Sequence, residues 1–406
     1  MRRRLSIFCV FLLISACAGS SSITDVPSSG SEDFYSIDED VAPEPLPLWT
    51  AVPRPMAYDA LPGWDQASLA PGLNALRQSC AKFANAPPTQ LFSEASPWAG
   101  SANDWAPACA ALDVIEDAES ARTVLQALFL PLEVRDTQGE PRFTGYFEPT
   151  IQASRTYAPP YTEPIPARPA DLIERNGKVY QRRSNGRLRA YPTRKDITRR
   201  GVEALAYARP ADVFFLQIQG SGRLIYPDGT VVRAAYAATN GQPFRSTANW
   251  LMRKGWISRG EANMAGIKAW MARASERQVR TAMNANPRFV FFTIEPIEDP
   301  ALGPKGSYEV PLTPLGSMAV DLRYHVAGLP MFVQTTAPGL GGTWSGLVVA
   351  QDTGGAITGP VRGDLFFGTG PAAGAAADTV NAPGRLWVFL PRGLAERLNP
   401  NADPAT

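Results

Sequence analysis

Hydrophobic residues follow several different rhythms along this chain, and the changes of rhythm mark out its parts. Leu5 to Ile14 is an almost unbroken apolar run, too short to cross a bilayer as a mature helix. From 17 to about 60 the apolar spacing disappears into Ser, Asp, Glu and Pro, a composition that cannot bury enough surface to offset chain entropy. Ser68 to Phe83 and Asp113 to Leu128 then carry apolar residues every three or four positions, which predicts helices. Arg142 to Glu148 alternates and stops at Pro149, as a strand does. Val213 to Gln219 is a continuous apolar stretch closed by Gly220-Ser221-Gly222 and reads as a buried strand. Tyr226-Pro227-Asp228-Gly229 is a hairpin turn, with Val231 to Ala237 returning from it. Helical spacing resumes over Ser246–Lys254 and Gly260–Asn284, and the apolar run Phe289–Ile294 reads as a strand. After it come short strands cut by Gly and Pro, at the spacing of a small barrel.

Composition sharpens this picture at a few points. With 34 Gly and 38 Pro, the part beyond residue 60 reads as mainly β, with a few helices packed outside. Arg2, Arg3 and Arg4 precede the first apolar run, and Ile14-Ser15-Ala16-Cys17 resembles a bacterial lipobox. That resemblance implies a signal peptide over 1–16 and a lipid anchor on Cys17. With Ala18 next to the cysteine, it points to the periplasmic face of the outer membrane. In such an oxidising compartment the remaining cysteines, Cys80 and Cys109, most simply pair. The chain has one histidine, His325, so a zinc site of several histidines is excluded and carboxylates are the natural acids and bases. A formal net charge of +1 selects no partner, although ten Lys or Arg stand against one acid between Arg175 and Arg200. A nucleic acid does not fit the exported address; a solvated basic face or the carboxylates of a wall polymer does.

The richest chemistry lies between Ala350 and Gly370. Asp352 closes the strand Leu347–Ala350 and Asp364 opens Leu365–Phe367, with Gly354, Gly355, Gly359 and Gly363 between or beside them. Those glycines permit positive backbone angles and close approach of a polymer. Read from the residues alone, the two aspartates either cap turns or form a carboxylate pair.

This stretch, with Asp321, resembles the three-aspartate (3D) motif of the membrane-bound lytic murein transglycosylase A family. Thr144–Pro149, Leu216–Gly222, Ala235–Ser246, Asn286–Phe292 and Val310–Asp321 resemble other motifs of that family, in the same order. The resemblance implies a double-psi β-barrel from 61–148 and 289–397, a smaller β-barrel domain inserted at 149–288, a groove between them and a tail at 398–406. It implies a monomeric lytic exotransglycosylase that cuts peptidoglycan with no metal or organic cofactor, alone or within wall-synthesis or division complexes. Asp364 is then the acid/base and Asp352 its partner. Tyr146, Gln217, Gln219, Ser221, Tyr236, Asn240, Arg245, Asp321, Gly354 and Gly355 are expected in the groove. Two other classes fit parts of the same sequence: a non-catalytic, expansin-like glycan binder and a scaffold lipoprotein that needs neither aspartate.

Overall fold

The computed structural model describes residues 55–112, 115, 118–135 and 139–398. The expected signal peptide, Cys17, most of the expected tether, the tail beyond 398 and part of the helix expected from Asp113 lie outside these residues. Helices and strands take comparable shares of what is described, so the fold is mixed α/β rather than mainly β.

An eight-stranded sheet combines β1 (Phe129–Val134), β2 (Arg142–Glu148), β12 (Ser317–Val320), β13 (Pro330–Ala337), β14 (Gly342–Asp352), β15 (Arg362–Thr369), β16 (Asn381–Ala382) and β17 (Gly384–Pro391). Its order is β1-β17-β13-β14-β12-β15-β2-β16, so β15 lies between β12, antiparallel, and β2, parallel. A six-stranded sheet is made of β3 (Thr150–Ser154), β4 (Glu163–Pro166), β8 (Ala204–Ala208), β9 (Gly222–Ile225), β10 (Val231–Thr239) and β11 (Val290–Glu295). β5 (Leu172–Arg175), β6 (Lys178–Arg182) and β7 (Leu188–Ala190) form a small third sheet. β11 pairs with β10, so residues 290–295 belong to the six-stranded sheet.

Three helices cover the eight-stranded sheet: α1 (Ala70–Phe83), α2 (Ala102–Leu112) and α3 (Ala118–Leu128). Pro71 sits in the first turn of α1, where no N–H is needed, and Leu73, Leu76, Cys80 and Phe83 face the core. A methyl on Gly72 would lie 2.2 Å from Leu347 O, so only glycine lets α1 approach β14 this closely. Behind the last residues of β14 runs a buried polar chain. Gln351 Nε2 donates to Ala75 O (2.8 Å) and Ser79 Oγ (3.0 Å), while Ser317 Oγ donates to Gln351 Oε1 (2.6 Å). Cys80 and Cys109 are disulfide-bonded, tying α1 to α2 with Cα atoms 5.5 Å apart.

Val213–Gln219 is not a strand. It belongs to α5 (Pro210–Gln219), which starts at a proline and ends on Gly220 at φ 85°. Its apolar residues run all round because it is buried on two sides. Val213 and Leu216 join the core of the six-stranded sheet, while Phe214 and Phe215 join a helical cluster. That cluster includes α6 (Thr247–Arg253), α7 (Met264–Arg273) and α8 (Glu276–Met283). The single helix expected over 260–284 is split there because Ser275 opens a new one with a capping box to Gln278. α4 (Arg194–Arg200) follows the small sheet, and α9 (Gly370–Ala377) and α10 (Arg392–Leu398) follow β15 and β17.

Candidate active site

β14 and β15 lie on either side of β12, and Asp352 and Asp364 both pair with its Ala319. Asp364 is the third residue of β15 rather than its opening, and lies in register with Ala319 of β12 and Thr144 of β2. Asp352 is the last residue of β14. Alternate residues of a strand share a face, and β2 presents Thr144, Tyr146 and Glu148 in that way. Thr144 Oγ1 donates to Asp364 Oδ1 at 2.5 Å, and Tyr146 Oη donates to Asp352 Oδ2 at 2.8 Å.

The three aspartates have different surroundings. Asp321, 5% exposed, accepts from Arg323 Nη2 (2.6 Å), from Arg323 N and from Gly359 N (2.8 Å). It therefore braces the glycine-rich turn; its carboxylate is tied to that arginine rather than offered to a ligand. Asp352 accepts from Tyr146 through one oxygen and from the backbone N–H groups of Ser307 (3.0 Å) and Thr353 (2.9 Å) through the other. Asp364 has Thr144 alone, and its Oδ2 has no hydrogen-bond partner among the described residues.

Burial raises the Asp364 carboxyl above its ordinary range. Arg362 and the Thr144 hydrogen bond pull it down, and the charge of Asp352 pushes it up again. Burial also raises Asp352, opposed by its hydrogen bonds from Ser307, Tyr146 and Thr353. The Tyr146 phenol is driven well up, first by burial and then by both aspartates, so it stays a donor. Arg362 is directed inward, with Nη2 donating to Thr144 Oγ1 at 2.9 Å and Nη1 to Gly363 O at 2.6 Å. His325 is 2% exposed and contacts Pro360 O through Nε2 at 2.7 Å; burial pushes it down to about 4. It serves the turn, not the carboxylates.

The glycines differ from expectation in how they serve the site. Of Gly354, Gly355, Gly359 and Gly363, only Gly359 has a positive φ, at 114°. Gly363 is required by crowding, since a methyl there would meet Met318 Sδ at 2.4 Å and the Phe143 ring at 2.9 Å. Above Gly355 lies the Arg288 guanidinium, 2.8 Å from the position of an added methyl, so residues just ahead of β11 face the glycine turn.

The remaining expected groove residues separate into two groups. Tyr236 is 51% exposed on β10, Arg245 is exposed, and Gln217 is 7% exposed with no partner for Oε1 among the described residues. Ser221 is buried beside the end of α5, where Gln219 Oε1 accepts from Phe147 N at 3.3 Å. Asn240, by contrast, is 1% exposed. Its amide donates to Pro192 O and Pro287 O and accepts from Phe289 N, so it holds a junction of loops and is not available to a ligand.

Sequence reasoning missed Thr144 and Glu148, although both stand on the β2 alternation with Tyr146. Glu148 is fully enclosed and accepts from Arg233 Nε (2.6 Å), Arg223 Nε (2.8 Å) and Thr369 Oγ1 (2.8 Å). The two arginines come from β10 and β9 and also reach Leu302 O, so this cluster joins the two large sheets.

Fold and site together define a mixed α/β protein with a pair of half-buried aspartates in its eight-stranded sheet. The pattern described as the MltA specific insert domain matches residues 142–293, and the 3D domain matches 316–390. The membrane-bound lytic murein transglycosylase A of Escherichia coli (strain K12) is 32% identical over 271 residues, covering 64% of this chain and 68% of the relative. The crystal structure of a membrane-bound lytic murein transglycosylase from Agrobacterium tumefaciens superposes with a TM-score of 0.73 at 27% identity, covering 86% of this chain and 100% of that one. A structure of Escherichia coli MltA with bound chitohexaose has a TM-score of 0.59 at 26% identity, covering 84% and 92%. The chain belongs to the MltA family of lytic transglycosylases and carries the family's 3D domain at its carboxy-terminal side.

Proposed function

We propose that this protein cleaves the β-1,4 bond between N-acetylmuramic acid and N-acetylglucosamine in peptidoglycan, leaving 1,6-anhydromuramic acid ends. Family membership supports a glycan-cleaving enzyme. The observation that carries the assignment of the acid is the unequal partnering of the three aspartates: among the described residues Asp364 alone of them has a carboxyl oxygen without a partner, in a setting that favours its protonated form.

In this reading Asp364 protonates the glycosidic oxygen as the bond from C1 to that oxygen breaks. The C6 hydroxyl of the same muramoyl residue forms the new bond to C1 and gives its proton back to Asp364. One proton leaves and one returns, and no water is consumed. A single acid/base suffices, unlike the two catalytic carboxylates of an ordinary glycosidase. Asp352, anchored by Tyr146 and two backbone N–H groups, is the fixed negative charge that helps keep Asp364 protonated. Gln217, Gln219, Ser221, Tyr236 and Arg245 border the path for the strand, in line with a family member that binds the sugar oligomer chitohexaose. The same reading makes the eight-stranded sheet a closed double-psi barrel and the six-stranded unit the inserted domain. It also places the protein on the outer membrane through a lipidated Cys17.

The test is mass spectrometry of peptidoglycan digested by protein lacking residues 1–17, beside Asp364→Asn. Anhydromuropeptides from the first and none from a folded second are expected. Reducing-end products would reassign Asp352 to direct chemistry, and binding without cleavage would replace the enzyme with a glycan-binding protein.

A further inference from the structure

The turn between the two aspartates is overhung by a cation that lacks an ion-pair partner among the described residues. Arg288 stands between α8 and β11. Its backbone is fixed on both sides: its N–H donates to Asn286 Oδ1 at 3.2 Å, and its carbonyl accepts from Arg194 Nη2 at 2.6 Å. The side chain is therefore pinned at its root. Its guanidinium lies over Gly355, and any side chain at 355 would collide with it. Among the described residues that guanidinium has no hydrogen bond and no ion pair, whereas Arg194, at the start of α4, is bound through both Nε and Nη2. Packing around Arg288 makes its charged form less favourable, and the neighbour that offsets this is the phenol of Tyr236, not a carboxylate.

A partly buried arginine without an anion is costly to keep, and it is well shaped to grip a carboxylate through two parallel N–H bonds. Its position matters as much as its charge. It faces the Gly354-Gly355 turn that links Asp352 to Asp364, and it adjoins Tyr236, which is 51% exposed and has Glu174 and Arg168 of the small-sheet region as further neighbours. A strand lying along the aspartates would pass beneath it.

Resting on the glycan-cleaving reading above, we propose that Arg288 is a specificity residue that binds a carboxylate on the lactyl branch of the muramoyl sugar being cut. This is the feature that separates peptidoglycan from an uncharged glycan of the same backbone. The carboxylate has two sources, the stem peptide or, where the peptide has been removed, the lactyl group itself. Arg288 would act on binding and leave the proton transfers at Asp364 unchanged.

The experiment measures equilibrium binding of three probes to Asp364→Asn protein with and without Arg288→Gln. The probes are peptide-bearing glycan strands, amidase-stripped strands that keep only the lactyl carboxylate, and chitohexaose, which has neither. The expected result is at least a tenfold loss of affinity for the anionic strands, about 1.4 kcal/mol, with chitohexaose binding unchanged. Loss confined to the peptide-bearing strands assigns the stem peptide as the source; loss confined to the stripped strands assigns the lactyl group, whose carboxyl is an amide while the peptide is attached; loss on both shows that Arg288 holds either carboxylate. Arg288→Lys should recover part of the affinity, because charge is kept and the paired geometry is not. A melting temperature no lower than that of the parent is expected for Arg288→Gln, as no partner is orphaned. Equal loss on all three probes would overturn the proposal in favour of a general effect on the groove. Unchanged binding of the anionic strands would overturn it and leave the enzymatic reading intact. If the protein carrying Arg288 binds none of the probes, both fall.

Discussion

Thr144 is the single donor to Asp364 among the described residues, and Thr144→Val removes its hydroxyl at almost constant volume. A hydrogen bond to a carboxylate favours the ionised form, so its loss moves Asp364 further in the direction that burial already drives it. A hydrogen bond to a charged group contributes about 1.5–3 kcal/mol, which corresponds to roughly a 10- to 150-fold stronger hold on the proton. Thr144→Val also removes the acceptor of Arg362 Nη2, but Nη1 stays anchored on Gly363 O at 2.6 Å and holds the guanidinium in place. If Asp364 must begin protonated, activity falls as pH rises through its ionisation, and in Thr144→Val that fall comes at higher pH. The assay is kcat/KM against pH for release of anhydro products from purified glycan. Stability supplies a second readout. A carboxyl that holds its proton more tightly folded than unfolded destabilises the fold above the unfolded carboxyl range, about 3.9, and not below it. The variant should therefore lose melting temperature near neutral pH and approach the parent as the solution is acidified. An alkaline limb that stays in place, or moves to lower pH because Arg362 takes the carboxylate, would refute the reasoning.

Two further outcomes follow from the packing. Glu148→Gln leaves Arg223 and Arg233, with side chains 11% and 9% exposed, without their anion, and should cost about 3–5 kcal/mol in urea unfolding. Cys80→Ser with Cys109→Ser opens a loop of 29 residues, and chain entropy alone predicts a loss of about 3.5 kcal/mol, read as a lower melting temperature under non-reducing conditions.

How much of this was legible in the sequence depends on which forces decide each element. α1, α6, β2, β11 and β10 with the turn before it follow from local period and turn chemistry, and all appear within a few residues of expectation. α5 does not, because a helix buried on both sides loses its polar face and its period with it; the proline and glycine at its ends were the better signal. α2, with Pro107 inside it, offered no clear period. At the site, the carboxylate pair was readable from two aspartates around a glycine turn. What each aspartate bonds to was not, since Thr144, Ser307 and Arg323 reach them through pairing and loops that no spacing encodes. Asp321 and Asn240 belong to recognisable motifs yet stabilise turns, which shows that a motif residue can serve backbone geometry as readily as a ligand.

β2 has a wider consequence. Thr144, Tyr146 and Glu148 project from one rigid strand at a spacing of about 6.6 Å, and they contact the acid, its negative neighbour and the bond between the two sheets. The strand works as a ruler shared by chemistry and architecture. A slip of a single residue would exchange all three for Phe143, Gly145 and Phe147 and disable them together. Grafting a relative's substrate-binding half onto this scaffold therefore calls for a seam beyond Pro149, with Arg223, Arg233 and Leu302 kept to receive the strand's far end.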